Sequence, residues 1–192
     1  MSRINVLSKE ISELIAAGEV IERPASVIKE LVENSIDAGA KHITVEIKNG
    51  GTVFMRITDD GCGIAAEDVA TAFLRHATSK INEKDDLDNI CTLGFRGEAL
   101  ASVAAVAKVE LMTKRKSDEY GTCYCIEGSI EKSCEPSGCP DGTTIIIRDL
   151  FYNVPVRRKF MKKDVTEANA VSQIMQKIAL SHPEISFKLI RD

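Results

Sequence analysis

No apolar run in this 192-residue chain approaches the roughly 20 residues that a membrane-spanning helix needs, and no apolar segment of signal-peptide type follows Met1. A cytoplasmic protein is therefore expected, nucleoid-associated if the source is bacterial, with no membrane partner. Positive charge is not in excess either. The net charge is −4, so the chain as a whole is not a general nucleic-acid binder, and contact with DNA would need a local basic patch. The six cysteines (Cys62, Cys91, Cys123, Cys125, Cys134 and Cys139) do not form paired C-x-x-C zinc knuckles or a short secreted scaffold. Free thiols in a reducing compartment fit them best. Cys123 and Cys125 lie two apart in an expected strand and so share a face. Internal repeats and low-complexity tracts are also absent.

The common nucleotide and metal signatures are missing as well. There is no G-x-x-x-x-G-K-[ST], and Gly61-x-Gly63 has no third glycine at the dinucleotide-binding position. There is no H-E-x-x-H. A nucleotide, if bound, must be held by another device.

What remains is an ordinary globular composition, 44% apolar and 28% charged, long enough for one domain with a real core. Residues 8–18 predict a short amphipathic helix ending at Gly18. Pro24 suits the first turn of a second helix and Gly39 its C-terminal cap. Ile43, Val45 and Ile47 alternate as in a strand, Asn49-Gly50-Gly51 signals a hairpin, and Val53, Met55 and Ile57 alternate in the return strand. Residues 65–76 and 98–107 read as helices, with a polar, irregular stretch at 77–93 between them. Strands are expected near 108–114, 121–127 and 143–149, with a Gly/Pro/Cys-rich turn at 134–142 and a last helix at 164–181. Phe187 to Ile190 reads as a strand two residues before the end, which suggests the N-terminal fragment of something longer. The order lacks strict βαβ alternation. It predicts one domain over 1–192: an α/β sandwich with a mixed, largely antiparallel sheet and helices on one face.

Three constellations carry chemistry. On a helix advancing about 100° per residue, Glu30, Asn34 and Asp37 form a narrow polar stripe beside the apolar face of Val27, Ile28, Leu31, Val32 and Ile36. A solvated helix margin looks the same; alternatively, the acid serves as a general base and the amide oxygen as a ligand for a hard cation such as Mg²⁺. Asp59-Asp60-Gly61-Cys62-Gly63 follows a strand. It is either an ordinary turn or a place where a flat ligand meets bare backbone while a carboxylate accepts from an exocyclic amine. Gly94-Phe95-Arg96-Gly97 precedes a helix, a simple start or an anion cradle. Base, metal ligand, amine acceptor and phosphate cradle together make a kit for ATP.

KELVENSIDAGA, DDGCGI, RHATSK, TLGFRGEALASV, GTT and LFYNVPVRRKF also closely resemble the N-terminal ATPase domain of the MutL family of DNA mismatch repair proteins, from Asn5 to the end of the chain. Within the wider GHKL group of gyrase, chaperone and histidine-kinase ATPases, GFRGEALASV with LFYNVPVRRKF is very specific to that family. The resemblance implies the Bergerat ATP-binding fold, Glu30 as general base, Asn34 on Mg²⁺ and Asp59 on the adenine amine. It implies a base pocket shaped by Gly61, Gly63 and Thr143. It assigns Thr78, Ser79, Lys80, Gly94, Phe95, Arg96 and Gly97 to the lid and phosphate contacts. Asp37 is left to orient neighbours or hold ordered water. The cofactors implied are ATP and Mg²⁺. The implied partners are a second copy on ATP binding, a mismatch-recognition protein, a downstream repair nuclease or helicase, and DNA through the longer protein.

In the family a second domain supplies a lysine to the γ-phosphate, and this chain ends before it. Two classes of function stay open: a slow Mg²⁺-dependent ATPase, and a nucleotide-gated interaction module with negligible turnover. Residues 81–96 are expected to be a lid, and residues 1–20 an arm that pairs with a second copy. Arg157, Arg158, Lys159, Lys162 and Lys163 crowd an expected helix start, where cations oppose the dipole. They point to a structural or interdomain role, or to contact with DNA.

Overall fold

The computed structural model describes residues 5, 6, 8–78 and 97–192. Seven strands form one sheet in the order β5-β4-β3-β6-β2-β1-β7. They are β1 (His42–Lys48), β2 (Phe54–Asp59), β3 (Lys108–Lys114), β4 (Gly121–Glu127), β5 (Ile130–Ser137), β6 (Gly142–Arg148) and β7 (Ser186–Arg191). Every pairing is antiparallel except β1 with β7, so the sheet is mixed and largely antiparallel. The helices are α1 (Lys9–Val20), α2 (Pro24–Asp37), α3 (Ala99–Val106), α4 (Pro155–Phe160) and α5 (Asp164–Ser181). Helices α2 and α3 pack on the sheet, with α1 against α3 and α5 against α2.

The strand period of two dictates which face they cover. The register aligns Val45, Ile57, Ile145 and Leu111 in one lateral row and Ile47, Met55, Ile147 and Val109 in the next, all buried. The row at the other end of this face changes character. There Ile43 pairs with Asp59, Asp59 with Thr143, and Thr143 with Thr113. An apolar sheet face that turns polar at one end gives the core a chemically active rim.

Helix α2 forms as its sequence directs. Pro24 occupies the first turn, and Gly39 takes the left-handed conformation (φ 75°) just past the end, its N–H donating to the Ile36 carbonyl at 2.9 Å. The departures from the sequence reading have physical causes. Helix α1 runs through Gly18, because that residue is not a terminator: the Arg157 guanidinium occupies the space a side chain there would fill, and Arg157 donates to the Gly18 and Ile21 carbonyls. Residues 65–76 form two short 3-10 turns, Ala66–Asp68 and Thr71–Phe73, not an α-helix. Buried Val69 and Phe73 anchor that segment, with Phe73 stacked on Tyr124 at 5.0 Å, so tertiary contacts override helix propensity. The expected turn at 134–142 is largely strand β5. Its hairpin with β4 turns on Gly128 and Ser129, both at positive φ, as the favoured two-residue hairpin requires. A strand exposed on both faces shows no apolar alternation, and this hid it.

Helix α4 was not foreseen, and it changes the reading of the basic cluster. Arg157, Arg158 and Lys159 lie in its last turn, where cations favour the dipole. Lys162 and Lys163 precede α5, whose first turn carries Asp164 and Glu167. The dipole conflict is thus absent for the first three cations and, at Lys162 and Lys163, is offset by the two acids.

Candidate nucleotide site

Helix α2 sets the site. Its positions 28, 31 and 35 face the core, and the residue at 35 is a serine, 4% exposed. Ser35 Oγ donates to Asp59 Oδ2 at 2.7 Å, which fastens the helix to the polar end of β2. Asp59 Oδ1 accepts from the Gly61 N–H at 2.9 Å, and the Thr143 backbone also donates to this carboxylate. A carboxylate has about four lone-pair positions. Three donors leave room for one more, the number an exocyclic amine needs. Burial raises the Asp59 pKa above the usual carboxylate value, against these hydrogen bonds. Its neighbour Asp60 goes the other way: burial opposes the shift, but hydrogen bonds from the His42 ring and from the backbone N–H groups of His42 and Lys41 bring it down to about 2. Two adjacent acids thus have separate tasks. Asp60 ties the start of β1, and Asp59 is held at the rim of the core with one acceptor position left.

Thr113 completes the floor. It is 1% exposed, donates to the Gly142 carbonyl at 3.1 Å, and accepts from the Ile64 N–H and the Thr143 hydroxyl. The glycines after Asp59 are needed for the loop's own packing. A side chain at Gly61 would meet Ala38 of the α2 cap, and one at Gly63 (φ 71°) would strike the Lys114 carbonyl at 2.3 Å.

Glu30, Asn34 and Asp37 stand half-buried on one side of α2, as the spacing predicts. Lys29, which sequence reasoning passed over, holds the stripe's first acid: its ammonium reaches Glu30 at 3.2 Å and Glu33 at 2.8 Å. Among the described residues no three His, Cys, Asp or Glu side chains gather to hold a metal ion. Mg²⁺ does not require such a cage, since it is commonly held by one or two protein oxygens together with phosphates and water.

Thr78 and Gly97 lie on adjoining stretches. The His76 N–H donates to the Gly97 carbonyl at 3.0 Å, and Gly97 (φ 60°) packs flat on Ala77. Ser79, Lys80, Gly94, Phe95 and Arg96, and with them the lid expected at 81–96, fall outside the described residues. Two depressions flank the Asp59 strand end. One, of about 500 Å³, is lined by Ala38, Gly39, Gly61, Cys62, Arg115 and Lys116 among others. The other, of about 340 Å³, involves Asp59 and Thr143 together with open-face residues such as Thr58 and Met112. Neither is lined by Glu30 or Asn34; the Ser35–Asp59 hydrogen bond is what ties their helix to the end of β2. Ser35 and Thr113 were the missed members of the site. The signal for Ser35 was a hydroxyl at the i+4 and i+7 position of an apolar helix face.

Comparison with known proteins agrees with this geometry. The sequence model of the histidine kinase-, DNA gyrase B- and HSP90-like ATPases matches residues 21–134. The chain is 59% identical over 192 residues to the DNA mismatch repair protein MutL of Agathobacter rectalis, covering all of this chain and 30% of that protein. It is 53% identical over its full length to MutL of Caldanaerobacter subterraneus subsp. tengcongensis, covering 32% of it. The chain thus spans about a third of the length of these curated relatives. Among solved structures, the Aquifex aeolicus MutL ATPase domain complexed with ADP superposes with a TM-score of 0.73 at 35% identity, over 90% of this chain and 61% of that one. The N-terminal domain of a DNA repair protein superposes with a TM-score of 0.78 at 30% identity, over 93% of this chain and 51% of that one. With the α/β sandwich, the family match inside it and relatives along its whole length, the chain belongs to the histidine kinase-, DNA gyrase B- and HSP90-like ATPase family, as a domain of the MutL type.

Proposed function

We propose that this chain is the ATP-binding domain of a mismatch repair protein, that it binds ATP with Mg²⁺, and that slow hydrolysis resets a switch. The observation that carries the reading is the Ser35–Asp59 junction: a buried carboxylate with one acceptor position left over, joined by hydrogen bond to the helix that bears Glu30 and Asn34. The donor set suits the ligand. Asp59 is an acceptor for the adenine amine, Thr143 and the Gly61–Gly63 loop border it, and Thr78, Ser79, Lys80, Gly94, Phe95, Arg96 and Gly97 are assigned to the phosphates and the lid. Asn34 is a neutral oxygen ligand for Mg²⁺, and Mg²⁺ would supply charge neutralisation at the phosphates. Glu30 would take the proton of the attacking water, with Lys29 holding its carboxylate at the helix margin. Asp37 would orient its neighbours.

ATP binding is proposed to close the lid and bring two copies together, and residues 1–192 are proposed to act as one domain of a longer, cytoplasmic protein. That protein's partners would be a mismatch-recognition protein, a repair nuclease or helicase, and DNA. Sedimentation with a non-hydrolysable ATP analogue tests the pairing. A monomer at saturating analogue, in the full-length protein, would remove it.

Nucleotide titration with Asp59→Asn and Asn34→Ala tests the binding reading. Asp59 accepts from the adenine amine but would face a second acceptor in guanine. Such a mismatch costs on the order of 1–3 kcal/mol, about tenfold to a hundredfold in affinity. Asp59→Asn should weaken ATP and narrow the gap to GTP. Asn34→Ala should lose the Mg²⁺ dependence. An unchanged ATP preference in the first variant, or unchanged Mg²⁺ dependence in the second, refutes the respective role.

The Asp59 carboxyl also sets a pH dependence. Burial raises its pKa, so between the ordinary carboxylate value and the raised one the folded chain binds more protons than the unfolded chain. Stability from this group therefore falls as pH rises through that window. Affinity for the adenine amine, which needs the ionised carboxylate, should move oppositely and weaken as pH falls through the same window. Asp59→Asn should abolish both trends.

A further inference from the structure

The face of the sheet away from the helices carries a row of sulfur that nucleotide binding leaves unused. Cys123 and Cys125 stand two apart on β4, half-buried and free, while Tyr124 between them is 3% exposed and turns into the core. Directly across β3, Cys123 pairs with Met112 and Cys125 with Glu110. Paired residues on neighbouring strands have Cβ atoms about 4.5–5.5 Å apart, within reach of a methionine thioether. On the other side, β5 places Glu135 opposite Cys123. Glu110 is already paired with Arg148 at 2.8 Å and serves as background charge.

The ligand set selects the ion. Among the described residues no three His, Cys, Asp or Glu side chains gather at one point, so tetrahedral zinc lacks its ligands. Two thiolates and a thioether are soft donors, and they select monovalent copper, which is satisfied with fewer ligands.

We propose that Cys123 and Cys125, with Met112 as the third donor, form a Cu(I)-binding site on the open face of the sheet. Binding makes two copper–thiolate bonds and one copper–thioether bond and releases the two thiol protons to solvent; no electron is transferred. The inference does not depend on the nucleotide reading: Cys123 and Cys125 line neither depression at the Asp59 strand end, and Met112, which borders one of them, is tested separately.

The test is anaerobic titration of the protein with Cu(I) against a chromogenic Cu(I) chelator, in a background with Cys62, Cys91, Cys134 and Cys139 replaced by serine. One ion should bind per chain, with an affinity that rises with pH as the protons leave. Loss of an outer-shell partner typically costs about 10–100-fold in metal affinity, so loss of a direct ligand in Cys123→Ser or Cys125→Ser should cost at least that. Met112→Leu should weaken binding less. Circular dichroism should be unchanged, since both cysteines lie on the half-open face. Absence of binding in the background protein, or equal binding in either serine variant, overturns the site. Equal binding in Met112→Leu overturns the thioether's part in it.

Discussion

Replacing Glu30 with alanine in the full-length protein should lower ATP hydrolysis by about 10²–10⁴-fold and leave ATP affinity within a factor of about three, since a positioned base acts on the rate and other groups supply the binding. The structure makes this a clean experiment. The Glu30 side chain is 31% exposed and pairs with Lys29 at 3.2 Å. Lys29 keeps its shorter bond to Glu33, so the helix surface is not left with an orphaned charge. Surface substitutions of this kind usually change stability by less than about 0.5 kcal/mol. A lost rate then reports chemistry and not unfolding. Glu30→Gln should behave the same way, because the amide cannot take the proton. The measurement is steady-state hydrolysis beside an equilibrium ATP titration on the same preparation. If affinity falls as steeply as rate, Glu30 is not the base; if the rate survives, hydrolysis belongs to another group.

How much of this could be read from the sequence follows from which interactions are local. The α2 stripe, the Pro24 start and the Gly39 cap depend on residues within a turn or two of each other, and helical geometry alone places them. The strands of the covered face were legible because one side of each is buried and the apolar alternation marks it. Strand β5 was illegible for the same reason reversed: exposed on both faces, it has nothing to alternate. The site divided along the same line. Asp59 and the Gly61–Gly63 loop were visible as a strand end running into glycine. What holds Asp59 was not, because Ser35 lies 24 residues away and Thr113 reaches Thr143 across a lateral strand pair. Gly18 is the sharpest case. Locally it looks like a helix stop, and only the distant Arg157, 139 residues on, explains it. The basic cluster misled for a related reason. A charge count near position 160 does not reveal that a helix ends there before another begins, and the dipole argument changes sign with that boundary.

Long-range polar ties of this sort should also dominate the stability of the site's framework, and Glu167 is the strongest of them. It is 1% exposed, yet its Oε2 accepts from both Nε and Nη2 of Arg23 at 3.0 and 2.8 Å, and its Oε1 accepts from the Lys162 N–H at 3.1 Å. Arg23 is the residue immediately before α2, so this carboxylate on α5 fixes the end of the helix from which Glu30 and Asn34 project. Glu167→Ala would strand the guanidinium and the backbone donor together. Breaking a fully buried pair costs about 3–5 kcal/mol. Arg23 is 31% exposed and can recover some hydration, so a loss of about 2–4 kcal/mol is expected. At about 2–4 °C per kcal/mol for a chain of this size, thermal unfolding should move down by roughly 5–15 °C. Glu167→Gln keeps an acceptor for Lys162 but loses the charge opposite Arg23, and should fall between wild type and alanine. The discriminating partner is Arg23→Ala. Removing the cation leaves a buried, unpaired carboxylate with almost no access to water, so it should cost at least as much as Glu167→Ala, and the double variant less than the sum of the two. Additive losses, or a loss under about 1 kcal/mol for Glu167→Ala, would show that α2 is held by its apolar face alone and that the pair is incidental to the site.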